Sequence, residues 1–373
     1  MADASARGRK EAPENPATAK TPIAPPSKRS LLTRRRALIV GGLAAGTIVA
    51  AASGGGDALL RLIGGGARPY TGSTFAFDTF CNFTVYGDDA ALTKLTEACA
   101  RYDALFDLYD ETSDIGRINA AQGAPTEVNP ATASVIARAL ELSPQLDGLF
   151  DITIGAVSTL WDFKKGVRPS DEAIAQALPH VGWQGVHVDE QAGTVTLDDP
   201  AAKLDLGGIA KGFVADRLIE LLRDETNATA AVISLGGNIA YFGEKPGGEP
   251  WATGIRDPND PGGDKTVGTT HTAGGTVVTS GLYERTFTEG DTTYWHILDP
   301  RTGMPAATDV VADTVFGASS TTADALSTAL FAAGSNCGIE LVDGLANMGA
   351  YFVLDSGTAA ESARWQELTD FTA

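Results

Sequence analysis

Between Phe75 and Tyr86 the chain alternates aromatic and β-branched residues with polar ones, the period-2 pattern of a strand with one buried face. From Asp88 to Tyr109 the rhythm changes. Leu92, Leu95, Tyr102, Leu105, Phe106 and Tyr109 fall at helical spacing and predict an amphipathic helix. Asn129-Pro130 supplies an N-cap and an N1 proline for a helix through Leu142. Val186–Leu197 reads as two short strands around a turn at Gln191–Gly193, and Ala230–Leu235 as a buried strand ended by Gly236-Gly237-Asn238. Further strands are predicted at Thr276–Ser280, Tyr294–Leu298 and Thr314–Ala318, a helix at Thr322–Ala333 and a closing strand at Ala350–Leu354. Strands outnumber helices and many sit in hairpin-like pairs. The expectation is an α+β fold of largely antiparallel sheets with packed helices, not a doubly wound sheet.

The N-terminal region departs from this pattern. Residues 1–36 carry nine Lys/Arg against three Asp/Glu, in an Ala/Pro/Ser-rich tract that predicts a disordered basic tail. Thr33-Arg34-Arg35-Arg36 leads into Ala37–Ala52, an apolar run with small residues after it. A charged segment, an apolar segment and small residues describe an export signal, and the paired arginines favour the twin-arginine route. Its length falls just under the ~17–25 residues of a spanning helix. Residues 37–53 are therefore expected to be an export signal or a membrane anchor, and 54–69 a Gly/Ser linker. Residues 70–373 are expected to form the folded domain, outside the cytoplasm.

The chain of 373 residues is 43% hydrophobic, enough for one large domain. Beyond residue 36 there are 19 basic against 44 acidic residues, which argues against nucleic acid as a partner. Cys81, Cys99 and Cys337 form no C-x-x-C pair and no zinc spacing, and read as small buried residues; a Cys81–Cys99 bridge stays open. H-E-x-x-H and G-x-S-x-G are absent from the sequence, so zinc hydrolysis and serine triads have no support.

Four segments carry candidate chemistry. In Leu204-Asp-Leu-Gly-Gly-Ile-Ala-Lys-Gly-Phe-Val-Ala-Asp216, Asp205 ends a strand, glycines allow close backbone approach, and Lys211 rides the first turn of a helix. That combination suits a phosphate, and equally an ordinary tight strand-to-helix turn. In Gly148–Phe163, Asp151 is the acid set among apolar neighbours, either partnered by a ligand or capping a turn. Of the four histidines only His296 lies three residues before an aspartate, Asp299, in a strand-then-turn context, which suits proton transfer from a hydroxyl. In Ala323–Leu330, Asp324 and Thr328 share a helix face and offer oxygen to a hard cation, or else serve the helix itself.

These segments, in this order, resemble the FAD:protein FMN transferase family, the ApbE-like flavin transferases. The resemblance runs from about Phe75 to Leu354 through DGLFDITIGAVSTLWDF, LDLGGIAKGFVAD, SLGGNIAYFG, WATGIRDP, TSGLYERTF, HILDPRTG and ADALSTALF. It implies a tandem T-fold-like architecture and transfer of FMN from FAD to a threonine or serine hydroxyl of an acceptor redox protein, releasing AMP. It further implies that Asp324, Thr328 and the Gly208 carbonyl ligate Mg2+, and that Lys211 lies near the FAD phosphates. Phe77, Tyr109, Leu149, Phe150, Asp151, Asp205 and Ile297 become flavin contacts, and His296, with Asp299 nearby, the base. Departures are visible: Gly208 stands where relatives often carry Ala, Ser or Thr, Ser327 where some carry an acid, and Phe77-Asp78-Thr79 where Met-Gly-Thr is common. The same site would serve an FAD pyrophosphatase, or a flavin-binding protein without turnover.

Overall fold

The computed structural model describes residues 68–260 and 263–373. The expected basic tail, the export signal and nearly all of the linker lie outside these residues. Among the described residues no helix is long and apolar enough to cross a membrane.

The chain opens with β1 (Tyr70–Ala76) and β2 (Thr79–Tyr86), then α1 (Ala91–Phe106), α2 (Asp114–Ala120), β3 (Thr126–Glu127) and α3 (Pro130–Gln145). Short helices α4 (Gly155–Ser158) and α5 (Asp171–Ala177) and strands β4 (Val186–Asp189) and β5 (Thr194–Leu197) precede α6 (Ala210–Glu225). A run of strands follows: β6 (Ala230–Leu235), β7 (Asn238–Phe242), β8 (Trp251–Arg256), β9 (Thr266–Thr272), β10 (Gly275–Gly281), β11 (Thr286–Glu289), β12 (Thr292–Trp295) and β13 (Val310–Gly317). The chain closes with α7 (Ser320–Ala333), α8 (Ser335–Asp343), β14 (Gly349–Leu354), β15 (Ala359–Glu361) and α9 (Trp365–Thr369).

Eight strands form one sheet in the order β1-β2-β6-β7-β10-β13-β14-β15, with every neighbouring pair antiparallel. The α+β, antiparallel expectation is borne out. One face of the sheet buries Phe83, Val85, Ile233, Val278, Val315 and Phe352 against Leu95 and Tyr102 of α1, Phe213 and Leu218 of α6, and Leu326 and Leu330 of α7. The other face meets β8, β9 and α9 through Trp251, Ile255 and Trp365. Burying each such large side chain stabilises by about 1.5–3 kcal/mol.

Four expectations need correction. Phe75–Tyr86 is not one strand but a hairpin, turned at Phe77 (φ 54°) and Asp78 (φ 58°). Two positive-φ residues in a two-residue turn match the twist of the flanking strands. Left-handed backbone costs a non-glycine about 1–2 kcal/mol, and the Phe77 amide gains a bond to Asp103 Oδ1 of α1 at 2.7 Å. The strand expected at Tyr294–Leu298 ends at Trp295, because beyond His296 the chain pairs with residues 304–306 instead, the Ile297 carbonyl accepting from the Ala306 amide at 3.0 Å. The first helix occupies Ala91–Phe106, shorter at both ends than Asp88–Tyr109. Asp107 takes an extended conformation there and its side chain accepts from the Tyr109 amide. The helix expected at Thr322 begins two residues earlier, capped by the Ser319 hydroxyl.

Candidate active site

Two helices set the centre of the site. Gly212 is the third residue of α6, where an amide has no partner within the helix, and it donates to Asp324 Oδ2 of α7 at 2.8 Å. That bond fixes Asp324, and the Gly208 carbonyl, ahead of the helix, stays outside the ladder. The helices meet closely enough that a Cβ at Gly212 would lie 2.2 Å from the Ser320 carbonyl oxygen and 2.6 Å from Asp324 Cβ. A Cβ at Gly208 would lie 2.9 Å from Thr328 Oγ1, so the turn and the hydroxyl are neighbours. Lys211 Nζ sits 3.8 Å from Asp324 Oδ1 and 3.3 Å from the Gly207 carbonyl. Asp216, one helical turn on from Gly212, anchors the start of α7. Its carboxylate accepts from the Ser319 hydroxyl at 3.0 Å, the Ser320 and Thr321 amides at 2.9 Å, and the Thr321 hydroxyl at 2.6 Å. A carboxylate at a helix N-terminus also meets the positive end of the dipole.

The segment Gly148–Phe163 is stitched to this turn. The Asp205 amide donates to the Ile152 carbonyl at 2.7 Å, and Asp205 Oδ2 accepts from the Ser158 hydroxyl at 2.6 Å. Asp205 Oδ1 takes the Gly207 amide at 2.8 Å. Asp151 is buried and fully occupied: Oδ1 takes the amide and hydroxyl of Thr153, and Oδ2 the amide of Trp183. Leu149, Phe150 and Ile297 are core residues, with the Phe150 ring 3.3 Å from the Cβ position of Gly208. Tyr109 is 79% exposed, and its phenol pKa is raised by partial desolvation and then by Asp205, with Arg285 opposing. Phe77 sits at the tip of the first hairpin, beside Asp78, which pairs with Lys164 at 2.8 Å and Arg285 at 3.1 Å.

His296 follows β12. Its Nδ1 is buried without a hydrogen-bond partner, which leaves Nε2 as the ring nitrogen able to meet a ligand. Burial, followed by the charges of Arg285 and Lys211, lowers its pKa from 6.5 to about 3. The imidazole is therefore neutral throughout the physiological range. Asp299 Oδ1 accepts from the Arg301 amide at 2.8 Å, and its backbone carbonyl from Gly303 at 2.8 Å, so it builds the turn behind His296. That turn packs on the preceding segment through Trp161 Nε1, which donates to the Gly303 carbonyl at 3.3 Å.

The fold thus sets Gly208 and Lys211 beside Asp324 and Thr328, with Lys211 and Arg285 near enough to His296 to depress its pKa and Asp205 near enough to Tyr109 to raise that of its phenol. Two further charged groups, quoted in a motif but given no role from sequence, belong here. Glu284 is held above its ordinary pKa by burial and, to a lesser degree, by Asp324, against the pull of Lys211, Arg285 and Arg256. Arg285 joins Asp78 to His296. Their placement after β10 in TSGLYER was the available signal. Among the described residues no group of three or more His, Cys, Asp or Glu side chains could hold a metal. A hard cation here would instead rest on one carboxylate, a hydroxyl and a freed carbonyl, an all-oxygen set that Mg2+ accepts when waters complete its shell. A separate hollow of about 510 Å³, lined by Asp309, Ser335, Cys337 and Asp355 among others, contains none of the candidate residues.

The ApbE family model matches residues 77–352. A Treponema pallidum FAD:protein FMN transferase is 33% identical, over 80% of this chain and 89% of its own. One from Klebsiella pneumoniae is 32% identical, over 71% of this chain and 83% of its own. The crystal structure of an ApbE protein from Thermotoga maritima superposes with a TM-score of 0.74 at 32% identity, covering 81% of this chain and 99% of that one. Motif order, sheet topology and these similarities agree: the chain belongs to the ApbE family of FAD:protein FMN transferases.

Proposed function

We propose that this protein transfers FMN from FAD to a threonine or serine hydroxyl of an acceptor protein, with Mg2+, outside the cytoplasm. One observation supports the reading above the others. A neutral histidine, a lysine that acts on it electrostatically and a helix-borne carboxylate–hydroxyl pair beside that lysine all lie within the residues the family model matches. Asp324, Thr328 and the Gly208 carbonyl are the groups that would hold Mg2+, which supplies charge neutralisation at the pyrophosphate. Lys211 adds a positive charge beside them, and Arg285 a second across the cleft. Nε2 of His296 takes the proton of the acceptor hydroxyl as its oxygen bonds to the phosphorus on the FMN side. The bond from that phosphorus to the bridging oxygen breaks, and AMP leaves with the bridging oxygen. Lys211 faces the charge that develops. The basic, arginine-led apolar run at residues 33–52 supports export and contact with the membrane.

The test mixes the purified body with FAD, Mg2+ and candidate acceptors and reads in-gel flavin fluorescence and acceptor mass. A gain of one FMN with release of AMP is expected. FMN and AMP released at the same rate without an acceptor would overturn the transferase reading in favour of hydrolysis.

A further inference from the structure

One buried charge is left over. Asp313 lies in the middle of β13, fully inaccessible, and neither carboxyl oxygen has a hydrogen-bond partner. Alternation along β13 places it with Val315 on the face covered by helices, whereas Ala312 and Phe316 pack toward β8, β9 and α9. Its cross-strand neighbour on β10 is Ser280. Above them, the buried Ser327 of α7 donates its hydroxyl to Ser280 Oγ at 2.6 Å. Burial drives the Asp313 pKa upward, eased by Ser327 and the residue's own amide; no cationic side chain contributes. Isolated buried carboxylates cost several kcal/mol, so proteins neutralise, pair or ligate them. Here three oxygen-bearing side chains from three different elements meet, and the carboxyl among them carries one negative charge when ionised.

We propose that Asp313, Ser280 and Ser327 bind a monovalent cation, Na+ or K+, between β10, β13 and α7, separate from the Asp324–Thr328–Gly208 set. Oxygen ligands select a hard ion. A single positive charge cancels the carboxylate, whereas Mg2+ would leave an excess charge and retain waters that a buried site cannot house. Ser280 is only partly buried and opens the route by which the ion enters. Ser327 lies between Asp324 and Thr328 on α7, so a bound ion ties the helix carrying both residues to the sheet beneath it.

Two measurements on the intact chain test this. Crystals soaked in Tl+ are expected to show an anomalous peak at coordination distance from the Asp313 carboxyl. Thermal unfolding in NaCl, KCl and choline chloride of equal ionic strength is expected to show a higher melting temperature in Na+ or K+, and the better-fitting ion gives the larger rise. In D313N that ion-specific rise is expected to vanish, with unfolding in choline no earlier than for the unaltered chain. Tl+ found on surface carboxylates but not at Asp313 would overturn the proposal. So would the same ion response in D313N, since both mean that protonation keeps the carboxyl neutral.

Discussion

The state of His296 can be tested directly. An ordinary histidine of pKa 6.5 is about 3% neutral at pH 5, whereas one at about 3 is about 99% neutral. If His296 is the base, lowering the pH from 8 to 5 leaves its contribution to kcat/KM nearly unchanged. A solvated histidine would lose about 30-fold. The assay is FMN transfer at saturating Mg2+ across this range, paired with imidazole NMR, in which four histidines are readily resolved. The His296 signal should not move above pH 5. R285Q removes the second cause of the depression, so its acid limb should shift upward, though not to 6.5, because burial is the larger cause. The same shift has a stability consequence. Between pH 6.5 and about 3 the unfolded chain binds a proton that the folded chain refuses, so stability falls as pH drops through that window. An imidazole titrating near 6.5, or an acid limb there that H296Q abolishes, would refute the assignment.

Other perturbations separate chemistry from scaffold. D324A removes a carboxylate from the cation set and the partner of the Gly212 amide; calorimetry should show lost Mg2+ binding, and chemical denaturation a cost of about 1–3 kcal/mol. D216A, remote from the reacting atoms, strips four bonds from the start of α7; it should destabilise by about 1–3 kcal/mol, read as a lower melting temperature. K211M keeps length and removes charge, so steady-state kinetics should show kcat/KM for FAD falling about 10–100-fold, or about 1.4–2.7 kcal/mol, with the fold intact by circular dichroism. G212A forces the two helices apart and should cost more than about 3 kcal/mol, visible as an early denaturation midpoint.

Much of the fold could be read from periodicity, because the antiparallel sheet keeps one face against helices over most of its width. Phe83 and Val85 follow the alternation read there, and Ile233 and Leu235 lie in the strand expected to be buried. The first hairpin was hidden because Phe77 does not announce a positive-φ turn, and Asp78, which tolerates one, has no glycine or asparagine beside it. The bond that secures it comes from Asp103, on another element. The end of β12 was likewise decided by a partner outside the hairpin, the 304–306 segment that takes up Ile297 and Leu298. Asp313 could not be placed from sequence for a different reason. Both faces of β13 are covered, so Val310–Gly317 shows almost unbroken burial and its alternation carries no sign of which face is which.

The glycine-rich turn shows why a motif identifies a site more readily than it assigns roles. Its glycines read as places where backbone approaches a ligand. The structure divides the work. Gly208 makes room for Thr328 Oγ1, and Gly212 for the Ser320 carbonyl and the β-carbon of Asp324. One admits a side chain and the other admits a helix. Because Gly212 lets α6 and α7 touch, its amide, without a partner in the first helical turn, can reach Asp324, and the Gly208 carbonyl ahead of the helix stays outside the ladder. Asp216 then sets the rotation of α7 that turns Asp324 and Thr328 toward that carbonyl. The proposed ligand set would thus be a consequence of how closely two helices pack, which is why residues that would contact no substrate stand in the same short stretch as those that would. Its donors form no cluster of acids among the described residues: α7 alone sets the Thr328 hydroxyl beside the Asp324 carboxylate, and the helix crossing brings the Gly208 turn to both.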